Sequence, residues 1–126
     1  MQPAIEIKRA YDPVARGDGL RVLVDRLWPR GVKKENLKLN AWAKDLAPST
    51  QLRQWFAHDP EKWSEFRKRY RAELSATGAR DAIAGLLAQA KGKKTITLIY
   101  AAKDTRHNEA VVLRNLFERA ADSATA

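Results

Sequence analysis

The sequence predicts an α/β fold: a small, mostly parallel sheet with helices packed around it in three layers, in a Rossmann-like manner. Three observations lead there. The run Thr95-Ile96-Thr97-Leu98-Ile99-Tyr100-Ala101-Ala102 has a continuous apolar centre, as in a strand covered on both faces. Between residues 50 and 90, apolar residues recur at helical spacing. Strands separated by helices are the pattern of a layered α/β architecture.

Taken in order, Ile5-Glu6-Ile7-Lys8 alternates apolar and polar, as a half-buried or edge strand does. Asp12-Pro13 and Arg16-Gly17-Asp18-Gly19 supply turn residues; the second reads as a hairpin-like turn, too short to cradle a dinucleotide. Leu20-Arg21-Val22-Leu23-Val24 holds a second, more buried strand ending near Asp25. Asn40 is placed to cap a short helix containing Trp42 and Leu46, which Pro48 stops. Ser49 or Thr50 starts the next helix, with Leu52, Trp55 and Phe56 inward. Asp59-Pro60-Glu61 combines a capping acid, a proline at the first helical position and a first-turn acid. Trp63, Phe66, Tyr70 and Leu74 then share one stripe, and Gly78 terminates the helix. Ala79, Ile83, Leu86, Leu87 and Ala90 define another helix, ended by Gly92. The last is expected from about Thr105 to Ala120, on Ala110, Val112, Leu113, Leu116 and Phe117. Residues 1–126 read as one domain, ordered over about 5–120, with residues 1–3 and 122–126 fraying.

Composition removes several classes of function. With 44% hydrophobic and 31% charged residues, the chain reads as globular rather than disordered. The absence of cysteine excludes disulfides, thiolate catalysis and thiolate zinc sites. Two histidines without HExxH spacing predict no dedicated metal site. No Walker loop, GxGxxG or GxSxG occurs, and no cofactor is expected. No apolar run approaches the ~20 residues that span a bilayer, and Met1-Gln2-Pro3-Ala4 lacks the features of a secretory signal. The expectation is a cytoplasmic protein without membrane contact. Its formal net charge of +9 favours anionic partners.

Two segments carry the chemistry. Asp25-Arg26-Leu27-Trp28-Pro29-Arg30-Gly31 follows the second strand directly. Pro29 and Gly31 shape the turn, and Arg26 and Arg30 present planar donor forks suited to phosphate or carboxylate. Trp28 is either a pocket wall or a core residue, and Asp25 either orients a guanidinium or pins the loop. Lys103-Asp104-Thr105-Arg106-His107-Asn108-Glu109 joins the strongest strand to the last helix. A helix N-terminus offers free N–H groups to an anion, with Lys103, Arg106, His107 and Asn108 beside it. If the strands before the two segments are parallel neighbours, both segments face one crevice at the strand carboxyl ends. His107 is the candidate proton carrier, with Asp25 or Asp104 as its orienting or opposing acid. Asp25 and Asp104 could also meet across the crevice.

The resulting expectation is a small anion bound by Arg26, Trp28, Arg30, Lys103, Arg106, His107 and Asn108. The alternatives are a nucleic-acid surface using Arg67, Lys68 and Arg71, or a basic face that docks an acidic protein. His58 reads as a helix C-terminal residue meeting carbonyls. Neither a reaction nor an oligomeric state follows from the residues.

The runs LVDRLWPRG (23–31), LAPSTQLRQWFAHDPEKWSEFRKRYRAEL (46–74) and TLIYAAKDTRHNEAVVL (97–113) resemble, in order and spacing, the YeaO-like branch of the bacterial domain-of-unknown-function family 488. The resemblance extends from about Ile5 to Phe117 and implies a small cytoplasmic α/β domain with no assigned activity. Longer members carry cysteines near the position of Arg106-His107-Asn108; this chain has none, so a thiol-dependent role does not carry over. Nor does the methyltransferase label of some members, because no glycine-rich loop for a methyl donor is present.

Overall fold

The strongest strand of the sequence lies inside a four-stranded sheet of order β1-β4-β2-β3. The computed structural model describes residues 2–125, with side chains through residue 123. The strands are β1 (Ala4–Arg9), β2 (Leu20–Leu23), β3 (Ala41–Trp42) and β4 (Thr95–Tyr100). Every pairing is parallel. The helices are α1 (Lys34–Leu37), α2 (Thr50–Phe56), α3 (Trp63–Ala76), α4 (Ala79–Gln89) and α5 (Glu109–Thr125).

Side chains of β4 alternate between two apolar clusters, as the two-residue period of a strand requires. Ile96, Leu98 and Tyr100 join Leu20, Val22 and Val24 in the larger cluster, under α2, α3, α4 and α5. Ile99 and Leu23 turn to the other face, against Leu37 of α1, with Trp28 and Trp42 packed alongside. The three layers are therefore unequal: four helices on one face, and one short helix plus the Trp28–Val32 loop on the other. Thr97 also lies on that thinner face and donates to the Asp18 carbonyl at 2.7 Å.

Local signals account for most boundaries. Ser49 Oγ accepts the Leu52 N–H at the start of α2 (3.1 Å), and Asp59 accepts the Glu61 N–H before α3 (3.0 Å). The stripe of α3 is buried at Phe66, Tyr70 and Leu74. Gly78, at φ +75°, separates α3 from α4.

Four expectations change. Residues 41–42 form an edge strand rather than a capped helix; only Lys44–Leu46 make a single 3-10 turn. Sheet pairing wins there because Asn40 Oδ1 accepts the Arg21 N–H (2.8 Å) and the Trp42 indole donates to the Asp25 carbonyl (2.7 Å). The Arg16–Asp18 turn closes no hairpin, since β4 lies between β1 and β2. The last helix begins at Glu109 rather than near Thr105, and it runs on to Thr125. Asp104 takes the Arg106 and His107 N–H groups in a separate turn, while Asn108 Oδ1 accepts from Val111 N–H and caps the helix. The fraying expected of Met1 and Ala126 lies outside the described residues.

Candidate functional site

Because β2 and β4 are parallel neighbours, the segments that follow them leave the sheet side by side. The Ala101 N–H donates to Asp25 Oδ2 at 2.9 Å, tying together positions 76 residues apart in the chain. Between the two segments lies a cavity of about 590 Å³, within the size range of small-molecule sites. It is lined by Arg26, Trp28, Arg30, Lys103, His107 and Asn108, which are six of the seven expected ligand residues. The seventh, Arg106, is exposed and lies outside the lining.

The cationic side chains of this cavity are lightly engaged. Among the described residues, the one hydrogen bond of the Arg26 guanidinium is a 3.4 Å contact from Nε to the Pro48 carbonyl. Arg30 is exposed and is tethered through its backbone carbonyl, which accepts from Tyr11 Oη at 3.0 Å. Arg53, projecting from α2, also lines the cavity and acts electrostatically on Glu109. Arg53 shares a helix face with buried Phe56 because the two are three residues apart. That spacing was the available signal for Arg53.

Trp28 is shared between the cavity and the second core cluster. It lines the cavity, and it packs edge-on against Trp42 with ring centroids 5.4 Å apart. Its indole N–H is committed to the Val32 carbonyl at 2.6 Å. Buried Phe56 and Phe66 also line the cavity, stacked at 4.3 Å. Asn108 is buried and holds its own turn: its amide donates to the Asp104 carbonyl at 2.9 Å while its oxygen caps α5.

Asp104 is engaged within its own turn rather than with Asp25. Asp104 is engaged by the Arg106 N–H, the His107 N–H and His107 Nδ1, the last at 2.9 Å. The Arg106 N–H, followed by the His107 side chain, holds the Asp104 carboxyl below its ordinary range. An ionised carboxylate only accepts, so Nδ1 must carry the proton, leaving Nε2 of a neutral His107 as an acceptor. The His107 ring meets Trp63 edge-on at 5.4 Å.

The acid that meets Asp25 is Glu109, at the first position of α5. The two carboxyl groups lie within side-chain hydrogen-bonding reach of each other. Burial, then the hydrogen bond and the negative charge of Asp25, raise the Glu109 pKa well above the ordinary carboxylate range. Two carboxylates in contact repel each other when both are ionised, which is why Asp25 disfavours the ionised form of Glu109. The Asn108-Glu109 step carried this residue in the sequence, as a capping side chain followed by a first-turn acid. Starting the helix near Thr105 hid it.

His58 also lines the cavity. It follows α2 at φ +58°, directly after Ala57 at φ +48°. Two successive non-glycine residues in the left-handed region are uncommon. Arg67 lies over the Trp63 ring (5.8 Å), and Arg69 lies over Trp55 (4.3 Å) while paired with Glu65 (2.9 Å).

A family model described as the inactive DUF488-N3 subclade matches residues 4–126. The chain belongs to this subclade. Among its relatives is the uncharacterised protein YeaO of Escherichia coli K12, 46% identical over 112 residues, covering 86% of this chain and 92% of that protein. The uncharacterised proteins Rv3073c of Mycobacterium tuberculosis H37Rv and Mb3100c of Mycobacterium bovis are each 37% identical over 112 residues, covering 89% of this chain and 92% of theirs. No solved structure matches the chain. Among the described residues, no helix is long and apolar enough to cross a membrane, and no cluster of metal-ligating side chains occurs.

Proposed function

We propose that the chain is a binding protein for a small phosphate- or carboxylate-bearing molecule, held in the cavity between the Asp25–Gly31 and Ala101–Glu109 segments. One observation carries this reading. Arg26, Arg30, Arg53 and Lys103, drawn from three separate parts of the chain, line the same hollow. Arginine forks match carboxylate and phosphate oxygens bidentately, and partial exclusion of water strengthens each contact. Trp28 and Phe56 supply apolar wall beside these cations.

Binding, rather than turnover, is the reading favoured by the subclade's description as inactive. It also agrees with the absence of any cysteine in the chain. In this reading Asp104 holds the His107 ring in one orientation, and His107 serves as a hydrogen-bonding contact.

Thermal unfolding in the presence of inorganic phosphate and phenyl phosphate tests the proposal. A ligand at one hundred times its Kd stabilises the folded state by about 2.7 kcal/mol. The wild-type chain is expected to show ligand-dependent stabilisation, and the Arg26→Met/Arg30→Met double variant is expected to lose it. Equal stabilisation of both proteins would remove these arginines from the site. A steep loss of duplex binding between low and moderate salt, with no response to the small anions, would favour the nucleic-acid surface instead.

A further inference from the structure

The cavity carries charge of both signs. Arg26, Arg30 and Lys103 line it together with the neighbouring acids Asp25 and Glu109. A receptor for a plain anion has no use for the acids, because a carboxyl pair repels the ligand that the arginines attract. We propose that the ligand is an amino-bearing anion: its phosphate or carboxylate lies on the arginines, a short apolar body lies along Phe56 and Trp28, and its ammonium group is received by Asp25 and Glu109. The inference rests on the anion-binding reading above and narrows it to a class of ligand.

Two observations support the assignment. One oxygen of Asp25 is fixed by the Ala101 N–H, so the carboxylate is held in place before any ligand arrives. Glu109 sits at the N-terminus of α5, where the helix dipole favours its anionic form and opposes the neutral form that Asp25 enforces. An ammonium group between the two carboxyls lets both ionise. The proton of the pair then leaves to solvent as the ligand's positive charge takes its place, so the charge of the pair's surroundings is conserved. The other groups facing the pair are Arg53 from α2, which favours ionisation of Glu109, and Tyr70 from α3, which feels both acids as well as Glu73 and Arg26.

Two matched pairs of probes test this by calorimetric titration at neutral pH: phenyl phosphate against 4-(aminomethyl)phenyl phosphate, and propyl phosphate against 3-aminopropyl phosphate. A close charge pair in a partly desolvated site couples strongly enough that at least one amine is expected to bind about tenfold more tightly than its amine-free counterpart. Its binding is also expected to release protons, read as a heat that changes with the ionisation enthalpy of the buffer. In Glu109→Gln, which keeps a hydrogen-bonding group of the same shape, the amine advantage should fall to within about twofold while phenyl phosphate still binds. Asp25→Asn is the second variant, and melting curves establish that both fold. The inference is overturned if neither amine outbinds its counterpart, or if the advantage survives in both variants. In those cases binding of the amine-free phosphates leaves the broader anion reading standing. Failure of all four probes to bind overturns both.

Discussion

The Asp18 carboxylate lies 2.5 Å from Nη1 of Arg21 on the thin side of the sheet. Lys8 reaches the same carboxylate at 2.9 Å, and Arg21 also donates to the Leu37 carbonyl through Nε and Nη2. The Arg21 side chain is only 4% exposed, so its charge has no recourse to water if Asp18 is removed. This network ties β1, β2, the Arg16–Asp18 turn and α1 into one polar unit.

Burial alone would raise the Asp18 pKa, but hydrogen bonds from Lys8, the Ala15 N–H and Arg21 outweigh it and hold the carboxyl below its ordinary value. A folded pKa below the unfolded one gives stability that is present above the unfolded value of about 3.9 and is lost as pH falls through the folded pKa. Asp18→Asn is therefore expected to lose about 3–5 kcal/mol at neutral pH, the range for orphaning one partner of a buried ion pair. The gap between variant and wild type should narrow below about pH 4. Urea unfolding across pH checks both parts.

Glu109 has the opposite sign. Its raised folded pKa makes its contribution fully present below the unfolded value, and that contribution falls away as pH rises through the folded one. Glu109→Gln removes the titration while keeping a hydrogen-bonding side chain. Its Tm is expected to exceed that of wild type by roughly 2–6 °C at pH 8 and to match it near pH 4. A variant less stable than wild type at pH 8 would show that the carboxyl pair itself stabilises the fold.

Phe66 is 2% exposed and stands among Phe56, Trp63 and Tyr70, with ring centroids 4.3, 5.6 and 5.5 Å away. Phe66→Ala is expected to destabilise the chain by about 3–5 kcal/mol through lost burial and the cavity it leaves. Because Phe66 lines the site, anion-dependent stabilisation should also weaken. Denaturant midpoints with and without phenyl phosphate separate the two effects.

Gly19 has φ +61°, and a Cβ there would lie 2.0 Å from the Thr95 carbonyl oxygen. The neighbour is backbone of the central strand and cannot turn aside as a side chain would. Gly19→Ala is expected to cost roughly 3 kcal/mol or more, combining backbone strain with displacement of β4. Near-wild-type stability would mean that the turn reshapes freely.

What the sequence disclosed depended on how strongly local chemistry and long-range pairing agreed. At β4 they agree: a long apolar run can be satisfied only by burial on both faces, and it sits inside the sheet. At Ala41–Trp42 they compete. Asn40 is a good helix cap, but the open edge of β2 captures its side chain and the two residues beyond it. The start of the last helix was displaced in the same way, since Asp104 closes a turn of its own four residues before the true cap, Asn108. The crevice was legible because two charged segments each follow a strand. The partnership of Asp25 with Glu109 was not, because it depends on a helix start displaced by a single turn.

The Ala101 amide, by giving its hydrogen to Asp25, extends the order of the sheet one step beyond the last rung of β4. This part of the cavity lining is thus stitched to the most deeply embedded part of the molecule. Its amides should exchange with deuterated solvent at the pace of whole-chain unfolding rather than of surface breathing. In the binding reading proposed above, a guest meets a vessel already shaped, and little of its affinity is spent on organising the host.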